Sequence, residues 1–203
     1  VAKIALVGAS GNIGRQILDE ALARGHQVTA IVRNPERISP QAGVAVVQAD
    51  IADVRRVADQ VRNTDALIIS IRWNDNAADV LRVARAAGVQ RMVAVVGAGS
   101  LDARPGVRVI DAPEFPPAWR PGAESAVRAL QTLRGEAEVD WLAVSPSWRV
   151  VAGERTGKFR VGDDQLLRDE RGDSLISIED LAVAILNEVE QPEHHRQRIT
   201  VGY

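Results

Sequence analysis

Lys3-Ile4-Ala5-Leu6-Val7-Gly8-Ala9-Ser10-Gly11-Asn12-Ile13-Gly14 decides how this chain folds. A short apolar run stops at a glycine, and two more glycines follow at three-residue intervals. Ile13, Ile17, Leu18, Ala21 and Leu22 then take up helical spacing as far as Gly25, a natural helix stop. This predicts a buried strand, a tight loop and a helix in direct succession. In that frame Gly8 lets the chain turn, Gly11 lets a ligand approach bare backbone, and Gly14 lets the helix lie close to the strand. The helix start offers unpaired N–H groups and a partial positive charge. Gly8, Ala9, Ser10, Gly11, Asn12, Ile13 and Gly14 are therefore the expected seat of a dinucleotide pyrophosphate.

Outward from this loop the alternation continues. Strands are predicted at Gln27–Val32, 44–47, Ala66–Ile69 and 92–96, and helices at Val54–Val61 and Ala77–Ala87, the latter closed by Gly88. Continuous apolar strands joined through helices imply a parallel sheet covered on both faces. The fold class is thus α/β, a Rossmann-type doubly wound sheet. Residues 102–121 carry five prolines and read as a long irregular loop. Beyond it come a helix at 124–136, a strand at 141–144 and short strands near 158–161 and 174–178. A helix at 178–189 and a last strand at 198–201 follow. One domain, 1–203, is expected, with small substrate-side elements in 147–203.

Composition narrows the function. At 203 residues the chain can bury a sizeable single core, and a net charge of −2 gives no footprint for nucleic acid or an anionic membrane. The absence of cysteine excludes disulfides, thiolate metal sites and cysteine nucleophiles. No apolar run approaches the roughly 18 residues of a membrane span, and the strand pattern starts at once, so no leader is expected. The expectation is a cytoplasmic monomer or homodimer acting on a small-molecule acceptor, with no metal site.

The end of the second strand reads Val32-Arg33-Asn34, with no carboxylate before Glu36. An acid there would accept hydrogen bonds from a ribose 2′-OH, whereas a guanidinium pairs with a 2′-phosphate. Arg33, with Asn34, therefore favours NADPH over NADH. Asp50 after the third strand is placed for the adenine or as the N-cap of the next helix, and the two roles are compatible.

These residues, with Val96-Gly97-Ala98-Gly99-Ser100-Leu101, Asp111-Ala112-Pro113-Glu114-Phe115-Pro116, Asp140-Trp141, Val144-Ser145-Pro146, Ile176-Ser177-Ile178-Glu179-Asp180-Leu181-Ala182 and the ending Gln197-Arg198-Ile199-Thr200-Val201-Gly202-Tyr203, carry a family likeness from end to end. The chain resembles atypical short-chain dehydrogenases/reductases with NAD(P)H-binding, NmrA-like domains, and among them the NADH-flavin reductases. The resemblance implies pyrophosphate at Gly8 to Gly14, 2′-phosphate at Arg33 and adenine at Asp50 and Ile51. It also implies a nicotinamide ribose near Ser70 and Ile71, with the loop of Gly97, Gly99, Ser100 and Leu101 flanking nicotinamide and substrate. Ser10 stands where the family commonly has threonine and keeps the hydroxyl.

A short-chain dehydrogenase of the usual kind protonates its substrate with a Tyr assisted by a Lys four residues on. Here those positions fall at about Gly122 and Ala126; the one tyrosine is Tyr203 and the lysines are Lys3 and Lys158. Hydride transfer to a flavin or quinone needs stacking and alignment more than a dedicated acid. The expected activity is therefore NADPH-dependent reduction of a flavin or quinone-like acceptor, with FMN or riboflavin as substrate. The alternatives are a non-catalytic NAD(P) sensor of the NmrA-like kind, or an atypical reductase or isomerase of a dedicated metabolite.

Ser100 is the one catalytic candidate, its hydroxyl available to a substrate or cofactor carbonyl; the competing reading is a loop serine satisfying backbone groups. Trp73, just past the fourth strand, and Trp119, in the proline-rich loop, are candidates for stacking on the acceptor, with packing as the equal alternative. Trp141 reads as core and Trp148 is open. The stretch 153–159 is not a phosphate loop, since three residues separate Gly153 from Gly157 and Phe159 replaces the needed hydroxyl. His194 and His195 are adjacent and lack a third ligand, and His26 reads as structural.

Overall fold

Ile4 and Leu6 point into one core while Ala5 and Val7 point into another, as an apolar strand covered on both faces requires. The computed structural model describes all 203 residues. The chain begins β1 (Lys3–Val7), α1 (Asn12–Ala23), β2 (Gln27–Val32), β3 (Val44–Gln48), α2 (Val54–Val61), β4 (Ala66–Ile69), α3 (Ala77–Ala87) and β5 (Arg91–Val95). It continues through β6 (Asp102–Arg104), β7 (Val107–Arg108), α4 (Arg120–Arg134), β8 (Asp140–Pro146), β9 (Arg149–Val151), β10 (Arg160–Gly162), β11 (Leu175–Ser177), α5 (Ile178–Glu190) and β12 (Gln197–Gly202).

The main sheet runs β10-β12-β8-β5-β4-β1-β2-β3. Every pairing is parallel except that of the edge strand β10 with β12. Strand order reverses between β1 and β4, which opens a crevice at the carboxyl ends of those strands, directly over the glycine loop. Helices α1 and α5 bury Ile17, Leu18, Leu181 and Ile185 on one face. Helices α2, α3 and α4 bury Val57, Val80 and Leu130 on the other. Gly25 does stop α1: at φ +80° its N–H donates to Leu22 O (2.9 Å) and the His26 N–H to Ala21 O (3.0 Å). No helix is long and apolar enough to cross a membrane.

The proline-rich stretch is more ordered than its composition suggests. β6 and β7 form a small antiparallel pair, and single 3₁₀ turns follow at Val109–Asp111 and Pro117–Trp119. Helix α4 begins at Arg120, four residues before the predicted start, because Pro121 sits in the first turn, where no N–H is needed. The strand at 149–151 was not expected; it pairs in parallel with β11. Leu101, Val109, Ile110, Phe115 and Leu166 make a small satellite core beyond the sheet, with Trp148 tilted against Phe115 at 5.8 Å.

Candidate functional site

The three glycines of the loop answer to different neighbours. Gly8 has φ +92°, and a Cβ on it would lie 2.1 Å from Ser70 O; a Cβ on Gly14 would lie 2.1 Å from Gly8 O. Both positions exclude a side chain for reasons internal to the fold. A Cβ on the exposed Gly11 would meet only Gly8 O, at 3.4 Å. Gly11 is also the N-cap of α1, with no side-chain cap and no acidic residue in the first turn. The N–H groups of Asn12, Ile13 and Gly14 bond no acceptor in the protein. The structure thus leaves an open helix start with its partial positive charge uncompensated, the donor set a pyrophosphate fits. Ala9 is buried, and Ser10 and Ile13 are half-buried beside this start.

Arg33 and Asn34 lie exposed at the end of β2; Gln48 Nε2 donates to Arg33 O at 3.1 Å, and the Arg33 guanidinium bonds nothing. Arg15, which the sequence reading missed, reaches the segment that follows them. From the first turn of α1 its Nη2 donates to Arg37 O (3.2 Å), tying the glycine-loop helix to the segment after β2. Its signal was its place directly after the third glycine. Asp50 is not a helix cap: its Oδ1 accepts the Ala52 N–H (2.9 Å), while Asp53 caps α2 by accepting the Arg56 N–H. The shorter Asp50 turn leaves Oδ2 unpartnered toward solvent. The Ile51 side chain belongs to the core, so only its backbone faces outward.

At the other end of the crevice, Ser70 donates its N–H to Val7 O (2.9 Å) and presses its carbonyl on Gly8, with Ile71 half-buried alongside. Gly97 is half-buried at the end of β5. Two substrate expectations need correction, those for Trp73 and Leu101. Trp73 is 4% exposed and its Nε1 donates to Val95 O (2.8 Å), so its ring is committed to the core. Leu101 is fully enclosed in the satellite core. Gly99 is buried against Ala123 of α4, where a Cβ would come within 3.3 Å. Trp119 is 58% exposed.

Ser100 bonds no backbone group, contrary to the loop-serine reading. Its Oγ accepts from Arg198 Nη1 at 3.1 Å, and its O–H donates to nothing in the protein. The Arg198 side chain, 2% exposed, also donates from Nη1 to Ser145 Oγ (3.4 Å) and from Nε and Nη2 to Asp164 Oδ1. The Arg198 guanidinium holds the Asp164 carboxyl below the usual carboxylate range against partial burial. Nothing in sequence marked Arg198 as more than a residue of the last strand. Tyr203 donates its hydroxyl to Asp180 Oδ2 (2.8 Å) and accepts the Ser177 N–H (3.2 Å). His194 and His195 bond Glu188 and Asp140.

The family described as NAD(P)H-binding matches residues 8–192. The uncharacterized protein YwnB of Bacillus subtilis is 35% identical over 98% of this chain and 97% of its own length. Among solved structures, a "putative epimerase" of Bacteroides thetaiotaomicron superposes with a TM-score of 0.95 at 39% identity, covering 100% of this chain and 97% of its own. A "putative NADH-flavin reductase" of Streptococcus pneumoniae does so at 0.86 and 29% identity, over 100% and 99% of the two chains.

Proposed function

The chain belongs to the NAD(P)H-binding family, and on that premise we propose that it is an NADPH-dependent reductase of a flavin or quinone-like acceptor. The observation that carries the reading is the bare Gly11 at an uncapped helix start, with three unpaired N–H groups beside it. Those donors, the N–H groups of Asn12, Ile13 and Gly14 at the end of the Gly8–Gly14 loop, hold the pyrophosphate. Arg33 supplies a guanidinium for a 2′-phosphate, with Arg15 tied to the segment that follows it as a second cation, and no carboxylate ends β2 to accept a ribose 2′-OH. Asp50 and the Ile51 backbone flank the adenine, and Ser70 and Ile71 flank the nicotinamide ribose.

When bound, the reduced nicotinamide supplies hydride. The protein's own part is to align the acceptor, exclude water from one face of it and offer the Ser100 O–H to a carbonyl oxygen. Trp119, 58% exposed just before α4, gives an aromatic face for stacking. Solvent delivers the proton, because the only tyrosine is engaged with Asp180 and α4 carries neither Tyr nor Lys. The name of the Streptococcus pneumoniae neighbour supports this reading. An epimerase, as the Bacteroides neighbour is named, would need acid–base groups at the reacting carbon, and Ser100 alone does not supply them.

Calorimetric titration with NADPH and NADH, followed by NADPH oxidation with FMN, riboflavin and a quinone, tests the proposal. Tighter NADPH binding with steady turnover is the expected result. Binding without turnover on any acceptor would favour a sensor, and no binding would remove the cofactor from the crevice.

A further inference from the structure

Resting on the reductase reading, we propose that Arg198 is a positioning residue. It fixes Ser100 through one lone pair, so that the Ser100 O–H, with the guanidinium charge behind it, meets the acceptor oxygen that becomes anionic on reduction.

Three neighbouring strands converge on this point. Ser100 follows β5, Ser145 lies near the end of β8, and Arg198 lies opposite Ala143 in the β8–β12 register, on the same face as Ser145. A cation that is 2% exposed is costly to place, and Asp164, itself 64% exposed, is reached through a single oxygen. The arrangement instead brings Nη1 between two serine hydroxyls. Each of those oxygens accepts from Nη1, and neither donates its own proton to any protein group. A hydroxyl whose lone pair is occupied by a cation is left as a donor. Two residues along β12, opposite Ser145, the fully buried Thr200 Oγ1 has no partner at all. The cluster therefore holds unspent hydrogen-bonding capacity beside a buried positive charge, at the sheet end where the acceptor lies.

The chemistry this suits is specific. The acceptor ring takes up hydride, gaining two electrons and one hydrogen as NADPH is oxidised to NADP⁺. The displaced electron pair moves onto a conjugated carbonyl oxygen, which solvent then protonates. A donor backed by a fixed cation stabilises that oxyanion more than the neutral carbonyl. The preferred acceptors are those whose reduction places charge on a carbonyl oxygen, quinones and the pyrimidine edge of flavins.

A phenol that colours on ionisation, 4-nitrophenol, stands in for the oxyanion. Titrated by pH in the presence of the protein, bound 4-nitrophenol should ionise about one pH unit lower than free dye. The shift should vanish in Arg198→Met and Ser100→Ala and return in part in Arg198→Lys. With a quinone, kcat in Arg198→Met should fall about a hundredfold while the KM for NADPH holds. A dye that does not bind, or that ionises alike in wild type and Arg198→Met, overturns the proposal, as does a loss of melting temperature with the dye shift intact. Should Arg198→Met not fold, Arg198→Lys and Ser100→Ala carry the same comparison. The dye titration needs no turnover, so a wild type that oxidised no NADPH would sink the reductase reading and leave the Arg198 result standing.

Discussion

A Cβ on Gly14 would stand 2.1 Å from the carbonyl oxygen of Gly8, whereas one on Gly11 would meet nothing nearer than 3.4 Å. Two glycines of one motif thus serve two ends, the first packing and the second access. Gly14→Ala should destabilise the protein by at least about 2 kcal/mol, the range of an overpacked core. Gly11→Val should cost the fold about 1 kcal/mol at a helix cap and abolish binding of NADPH and NADH alike. Thermal melts beside calorimetry separate the two, and a Gly11→Val protein that binds both normally would take the pyrophosphate out of the loop.

Arg33 offers a cleaner test of cofactor choice, because its guanidinium bonds no protein group. Arg33→Asp should leave stability within about 0.5 kcal/mol of wild type. Its NADPH affinity should fall about a hundredfold, since a charge-assisted pair is replaced by repulsion, with NADH affected only a few-fold. Equal losses for the two cofactors would move the 2′-phosphate elsewhere.

Much of the fold was legible for a physical reason. The strands and helices from Gln27–Val32 to Ala77–Ala87 are written as apolar runs cut by Gly and by Asn34-Pro35; β2 and β4 are apolar because both their faces are covered, whereas the edge strand β3 keeps an apolar sequence although it is largely exposed. β9 was missed because Arg149, Val150 and Val151 are short and partly exposed and pair only with β11. The start of α4 is hidden in the sequence because proline marks a loop by composition, whereas Pro121 stands in the first turn, where its missing N–H has no partner to lose. In the site, Gly8, Gly11 and Gly14 announce themselves through local spacing. Arg198 does not, since its partners Ser100, Ser145 and Asp164 stand 98, 53 and 34 residues away in sequence.

Asp180 gives the protein an acid-sensitive joint. It is fully buried in the first turn of α5, where it accepts from Thr156 Oγ1 (2.5 Å), the Gly157 N–H (2.7 Å) and Tyr203 O–H (2.8 Å). Burial works against its charge, but these donors outweigh it and hold the carboxyl below the usual range. Its pKa is lower folded than unfolded, so its contribution is complete above about pH 5 and is lost progressively as pH falls through the unfolded and then the folded value. Asp180→Asn should therefore be about 2 kcal/mol less stable at pH 7, and its urea midpoint should converge on that of wild type below about pH 4. A gap that stayed constant down to pH 3 would mean that the carboxylate's charge is not what holds the 156–157 segment.

Trp73 and Trp119 read alike in sequence, as aromatics near the rim of the crevice, and the structure sets them apart. Trp73 fills the core beside Ile69 and Ala77 and donates to Val95 O, so Trp73→Phe removes both volume and a donor. It should lose about 1–3 kcal/mol of stability with the acceptor KM unchanged. Trp119, 58% exposed, contributes little to packing, and Trp119→Ala should melt within about 0.5 kcal/mol of wild type. If its ring stacks on the acceptor, that substitution should raise the acceptor KM about tenfold, the loss of roughly 1.4 kcal/mol expected for one aromatic contact. Melts and steady-state kinetics on the two variants give opposite signatures under this assignment. An unchanged KM in Trp119→Ala would shift the stacking face to Trp148, which the satellite core leaves half-buried against Phe115.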